Sequence, residues 1–216
     1  MKKYITVFLC FAISLLGAGS LYGQKIVLSG ANSPGFKFST TPAGALADPV
    51  QPVIHYQQNI SMLAGIDDRP TLSVYGDGRV HVHYPEYMKK AGDYEMKLSE
   101  DEVAGLVQSL HKDGVLEFDQ DKVKAKIRSE RKALRESGQL YAISDAMETV
   151  VDIRLDEYQR DKSSASIKNF HKRFKWKNIE QQALRFNQQR ELVDAHSSVK
   201  NLQRLMQDSR LTKQGR

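Results

Sequence analysis

The sequence predicts an α+β fold: a small antiparallel sheet packed against one helix, with an inserted charged helix and a helical C-terminal extension. Three observations carry this expectation. Residues 71–85, TLSVYGDGRVHVHYP, read as a tight β-hairpin. Residues 93–98 alternate, with Tyr94, Met96 and Leu98 on one face and Asp93, Glu95 and Lys97 on the other, the period of a half-buried strand. Ser99 stands three residues before Glu102, a capping box, and Val103, Leu106, Val107 and Leu110 follow at helical spacing until Gly114. Strands, a helix, one or two further strands and then helices is the order of an α+β domain.

Taken in order, residues 1–23 read as a signal peptide. Lys2 and Lys3 give the charged start, residues 5–16 the apolar stretch, and Gly17, Ala18, Gly19 and Ser20 the small-residue region, with cleavage after Ser20 or Gly23. The expectation is export to the periplasm or the medium. The alternative is a chain anchored by an uncleaved N-terminal segment, although the apolar run is short for a membrane span. Cys10, the only cysteine, lies inside this segment. The mature chain then has no disulfide, and a hydrophobic core must carry its stability.

Residues 24–51 are rich in Gly, Ala, Ser, Thr and Pro and read as a flexible leader. An α+β domain is expected over 52–176, with Pro52 to Tyr56 opening a first strand. The hairpin register follows from its two faces. A two-residue Asp77-Gly78 loop mixes apolar and polar side chains on both. A three-residue loop, Gly76-Asp77-Gly78, pairs Val74 with Val80 and Leu72 with Val82, and leaves Ser73, Tyr75, Arg79, His81 and His83 on an exposed face. Gly78 then takes the left-handed position.

Residues 115–118 are short and apolar, a strand or a tuck into the core. Residues 119–138 read as an exposed charged helical insert in which Val123, Ile127 and Leu134 recur, stopped by Gly138. Residues 148–158 alternate again, with Val151, Ile153 and Leu155 inward. Residues 165–176 return, but Ile167, Phe170 and Phe174 fit no single period. The basic tail, 177–216, reads as two helices over 178–192 and 198–208. The second is capped by Ser197 or Ser198 and carries Val199, Leu202, Leu205 and Met206 on one side.

The YGDGRV strand end, Leu98-Ser99, the helix with LVQSLHKDGVLEF and the later Ser144-Asp145 together resemble a group of uncharacterised bacterial secreted and lipoprotein domains. That group is built around a Y-G-D-G hairpin and an L-S-x-x-E helix. The likeness covers roughly residues 70–170 and implies a fold, with no assigned activity. The long charged insert, the helical tail and, in the mature chain, the absence of a cysteine before the hairpin depart from it.

Chemistry is sparse. His81 and His83 leave one face of a strand and are the weak candidates for a metal site, while His55, His111, His171 and His196 are scattered in sequence. No HExxH, GxSxG or phosphate-cradling glycine loop is present, and no cofactor is implied. Asp194, His196 and Ser197 are sequence neighbours, but a catalytic triad is made by geometry, and Ser197 reads as a cap. The feature above background is charge. Residues 168–216 hold twelve Lys or Arg against four acids, a balance of +8, whereas residues 24–118 balance at −4. Lys168, Lys172, Arg173, Lys175, Lys177 and Arg185 are the candidate contacts to an anionic surface. The reading is a non-catalytic envelope binding module, with peripheral membrane contact and an envelope partner as its targets; export disfavours nucleic acid. Two alternatives stay open: a metal-dependent hydrolase around His81 and His83, and a self-associating structural protein.

Overall fold

The computed structural model describes residues 25–28, 35–40, 50–60, 68–139 and 147–215. The proposed signal peptide, Ser144 and Asp145 lie outside them. The fold is α+β. Among the described residues, nine strands make one antiparallel sheet: β1 Lys25–Leu28, β2 Gly35–Ser39, β3 Ile54–Ile60, β4 Thr71–Val74, β5 Arg79–Tyr84, β6 Gly92–Lys97, β7 Met147–Gln159, β8 Ile167–Lys177 and β9 Thr212–Lys213. Four helices accompany them: α1 Glu100–Lys112, α2 Gln120–Glu136, α3 Ile179–Arg185 and α4 Arg190–Leu205.

The long strand β7 organises the sheet. One edge pairs with β8 along nearly its whole length; the other is shared by β3, opposite residues 147–153, and β2, opposite residues 157–159. From β3 the sheet continues through β4, β5 and β6 to β9. Alternation sends one set of side chains inward. Ile54, Tyr56, Leu72, Val74, Val80, Val82, Val151 and Ile153 are all buried on that face.

The hairpin register is the expected one. Val74 pairs with Val80 and Leu72 with Val82, and the Gly78 N–H donates to the Tyr75 carbonyl. Gly78 has φ +88°, and a Cβ there would lie 2.1 Å from the Leu98 carbonyl oxygen. Gly76 is required for a different reason: its Cβ would lie 1.9 Å from the Ser39 carbonyl oxygen, where the turn meets the end of β2. The predicted capping box is present, with Glu102 N–H donating to Ser99 Oγ and Ser99 N–H to Glu102 Oε2. Residues 115–117 form a single 3-10 turn whose Val115 and Leu116, with Phe118 just after it, tuck into the core.

Several expectations are corrected. The segment read as a flexible leader contributes β1 and β2, and Phe36 and Phe38 are each only 1% exposed. Their signal is one short Phe-Lys-Phe alternation, stabilised by pairing with Tyr158 more than a hundred residues away. The sheet is therefore not small, and it does not rest on one helix. The C-terminal segment joins the same core: Leu192, Ala195, Val199, Leu202 and Met206 are buried. Gln203 Nε2 donates to the Tyr56 hydroxyl at 3.0 Å, and the Tyr84 hydroxyl donates to the Met206 carbonyl at 2.7 Å.

The helix boundary also moves. The break falls at residues 186–189, and α4 runs unbroken through Ser197 and Ser198. Its buried positions recur at alternating spacings of three and four, which is one continuous stripe. Ser198 caps nothing; it is buried and its Oγ donates to Asp113 Oδ2 at 2.6 Å, tying α4 to the end of α1. The charged insert forms α2, but its apolar side is not exposed. Val123 and Ile127 are buried, and α2 runs beside β8. The untidy stretch 165–176 resolves into alternation along β8 from Phe170 onward: Phe174 and Trp176 face inward and are buried, Phe170 is half-buried on the same side, and Phe118 packs edge-on against Phe174 at 5.1 Å.

Candidate functional site

The outward side of the sheet is polar, and register places its residues in rows. One row crosses six strands: Arg173, Asp152, His55, Ser73, His81 and Glu95, each directly opposite the next. The expectation that the histidine face is open needs correction, because Ser73 and Asp152 are buried and His55, His81 and His83 are half-buried. Asp152 is the hub of the β7–β8 part. Arg154 Nε donates to its Oδ1 at 3.0 Å, His171 Nε2 lies at the same distance from that oxygen, and Arg173 is 3.8 Å from Oδ2. His55 Nδ1 is 3.0 Å from Ser73 Oγ. Burial pulls the His55 pKa below its ordinary value even with the Asp152 carboxylate nearby.

The structure thus brings four of the six histidines to one face, which scattered sequence positions do not reveal. They do not converge. His55 and His81 are two strands apart, roughly 10 Å at ordinary strand spacing. Around the candidate pair His81 and His83, the neighbours are carboxylates. His83 Nδ1 lies 2.7 Å from Asp93 Oδ1, His83 Nε2 lies 2.6 Å from Asp68 Oδ1, and His81 Nε2 is 3.4 Å from Asp93 Oδ1. Both ring nitrogens of His83 therefore face oxygens, the arrangement of an imidazolium held between two aspartates. Burial lowers the His83 pKa, but hydrogen bonds donated to Asp93 and Asp68 and the negative charge of those carboxylates outweigh it and leave the pKa raised. Among the described residues no group of three or more His, Asp or Glu is arranged to hold a metal ion.

The six candidate basic residues do not form one patch. Strand alternation puts Arg173, Lys175 and Lys177 on the outward face of β8 and Lys172 on the opposite one, with Phe170, Phe174 and Trp176, while Lys168 lies at the far end of the strand opposite Glu157. Lys172 sits near Asp119 at the start of α2. Arg185, at the end of α3, donates from Nη2 to Gln139 Oε1 at 3.1 Å. In their place the fold assembles a different cluster. Helix α2 lies along the free edge of β8: the Lys175 N–H donates to Gln120 Oε1 at 3.0 Å, and Lys124 Nζ donates to the Lys175 carbonyl at 3.2 Å. That docking sets Lys124, Arg128 and Arg131 beside Lys175 and Lys177. The three α2 cations are spaced i, i+4 and i+7, so their common face is legible in the sequence. What the sequence lacks is where the helix docks.

Two internal networks complete the polar chemistry. The Tyr158 hydroxyl donates to Glu117 and lies 2.7 Å from His111 Nδ1, joining β7 to α1 and the 3-10 turn. The Arg210 guanidinium bonds Glu102 at 2.8 Å and Asp208 at 3.0 Å, fastening the chain before β9 to the start of α1. The chain matches no protein-family model, no curated protein and no solved structure.

Proposed function

We propose that the chain is an exported, non-catalytic binding module that holds anionic envelope material through the basic surface of β8 and α2. One observation carries this reading: Lys124, Arg128, Lys175 and Lys177 sit together, and none is in an ion pair with any carboxylate among the described residues. Some cations elsewhere are held by carboxylates, as in Arg79 with Asp77, Lys37 with Glu157, Lys126 with Glu191 and Arg210 with Glu102. A solvated helix face gives scattered charge, whereas here two elements direct like charges to one place. Like charges so gathered repel, and an anion relieves that repulsion. Near an anionic surface each contributes up to about 1 kcal/mol.

Phe174 and Trp176 are buried and offer no exposed aromatic anchor for lipid. Attraction must then be electrostatic and salt-sensitive. Among the described residues no helix is long and apolar enough to cross a membrane. Export rests on the sequence pattern of residues 1–23, and the intact mass of protein recovered from the cell envelope or medium tests it; the full-length mass refutes cleavage. Flotation with phosphatidylcholine vesicles, with and without phosphatidylglycerol, at low and high salt, tests the binding. The expected result is flotation only with the anionic lipid and only at low salt. Equal flotation with both compositions, or none, removes the reading.

A further inference from the structure

Between α2 and the end of β8 lies a cleft of about 480 Å³. Its rim is Lys124, Arg128 and Arg131 from α2 and Lys175 and Lys177 from β8; Glu148 is the one carboxylate on it. Glu148 already accepts from Asn59 Nδ2 at 3.0 Å. Lys124, Arg128, Lys175 and Lys177 against one engaged carboxylate leave a concave site positive. Ile127 and Trp176 supply its apolar wall.

Trp176 gives the second, independent observation. It is 1% exposed, and its indole Nε1–H is buried with no hydrogen-bond partner. Buried indole N–H groups normally find an acceptor, because leaving one unmet costs stability. Glu148 already accepts from Asn59, and the indole N–H meets neither that carboxylate nor the Gln120 and Gln182 amides, so an acceptor brought by a ligand would satisfy it.

Edge protection does not account for the lysines. Exposed sheet edges are often guarded by Lys, but α2 already covers this stretch of β8 through Gln120 and Lys124. The side chains of Lys175 and Lys177 are left over from that task.

We propose that this cleft binds the phosphate group of a phosphomonoester, with the α2 and β8 cations neutralising the charge and the Trp176 N–H as a directed donor. The inference rests on the reading that the β8–α2 surface recognises anions, and it names the group recognised. A doubly charged phosphate matches several converging cations, and Arg128 presents a planar fork suited to its oxygens. The cleft exceeds the size of one phosphate, and its Ile127–Trp176 wall takes the organic part. The same group is offered by a soluble phosphate ester and by the headgroup of phosphatidic acid.

Trp176 is the only tryptophan, so its fluorescence reports on this cleft alone. The mature chain is titrated with pyrophosphate, with sodium chloride at matched ionic strength as the reference, and separately with phosphatidic acid vesicles. The expected result is a saturable change in emission beyond the salt effect. Arg128→Glu and Lys175→Glu, both at exposed positions, are expected to weaken it about tenfold or more while melting normally. Lys200→Glu, an equally exposed cation on α4, is expected to leave it unchanged. By calorimetry, Trp176→Phe is expected to bind about tenfold more weakly through loss of one donor to a charged acceptor. Saturation by pyrophosphate without vesicle binding supports the cleft and refutes the envelope-surface reading. Vesicle flotation that is indifferent to Arg128→Glu and Lys175→Glu keeps that reading and overturns the cleft. No saturable change with either probe, or equal loss in Lys200→Glu, also overturns it.

Discussion

The β4–β5 hairpin turns through Gly76-Asp77-Gly78, whereas β7 and β8 are joined by residues 160–166. The first sits in the middle of the sheet and the second at its edge. At the central turn the backbone itself is in contact: Gly76 lies against Ser39 and Gly78 against Leu98, and no side chain fits at either. The inward residues of this hairpin are aliphatic and fully enclosed. The edge hairpin is held by large side chains instead. Phe174 and Trp176 pack on Phe118, and the outward edge of β8 is closed by α2. A strand covered by side chains, with its cationic face turned out, can carry a binding surface that a strand enclosed by backbone contacts cannot.

The contrast predicts which substitutions each hairpin tolerates. The largest effect belongs to the edge. Phe174→Ala removes a buried ring from the junction of β8 with the 3-10 turn and should cost about 3–5 kcal/mol. Urea unfolding measures it; a loss below about 1 kcal/mol would mean that the aromatic junction does not hold the edge strand.

Gly76→Ala comes next. Its added Cβ meets backbone and not a movable side chain, so roughly 2–3 kcal/mol is expected. Gly78→Ala combines that approach with left-handed strain, and so should exceed the roughly 1 kcal/mol that strain alone costs. Gly114→Ala calibrates the pair, since it has φ +70° with nothing within 4 Å of its Cβ. If all three cost the same in chemical unfolding, backbone proximity is not what distinguishes the central turn.

A smaller effect is expected from Gln120→Ala, which deprives the Lys175 N–H of its side-chain acceptor. About 1 kcal/mol is at stake. Opening this edge should also raise self-association, read by light scattering at increasing concentration. An unchanged particle size together with unchanged stability would show that α2 does not guard β8.

The smallest effect is a pH dependence of the central hairpin. The folded His83 pKa lies above its ordinary value of 6.5. Its bridge between Asp68 and Asp93 therefore contributes fully below pH 6.5 and is lost as pH rises through the raised folded value. His83→Gln should flatten that part of the stability profile. An identical slope in parent and variant across this window would place the titrating group elsewhere.

These outcomes bear on how far local chemistry determines the chain. The hairpin register, the Ser99–Glu102 box and the inward set Val151, Ile153 and Leu155 are legible in sequence because each depends on residues within a few positions of one another. Turn geometry and side-chain alternation leave one arrangement with a clean apolar face. The basic surface is half legible. The tail's charge excess is visible and so is the face of α2, but strand alternation turns Lys172 away from Lys175, and Lys168 lies at the far end of β8.

By itself, then, the sequence determined the α+β class, the central hairpin and the first helix. Tertiary structure decided the rest. It turned a Gly- and Pro-rich leader into two strands, since Phe36 is buried only by pairing with Tyr158 across the chain. It made α4 one helix through a polar run, because its stripe is needed against Tyr56 and the end of α1. It also placed the α2 cations beside Lys175 and Lys177. The physical reason is common to all three. Burial energy depends on what covers a side chain, and here the covering partner lies tens to more than a hundred residues away, where no local pattern records it.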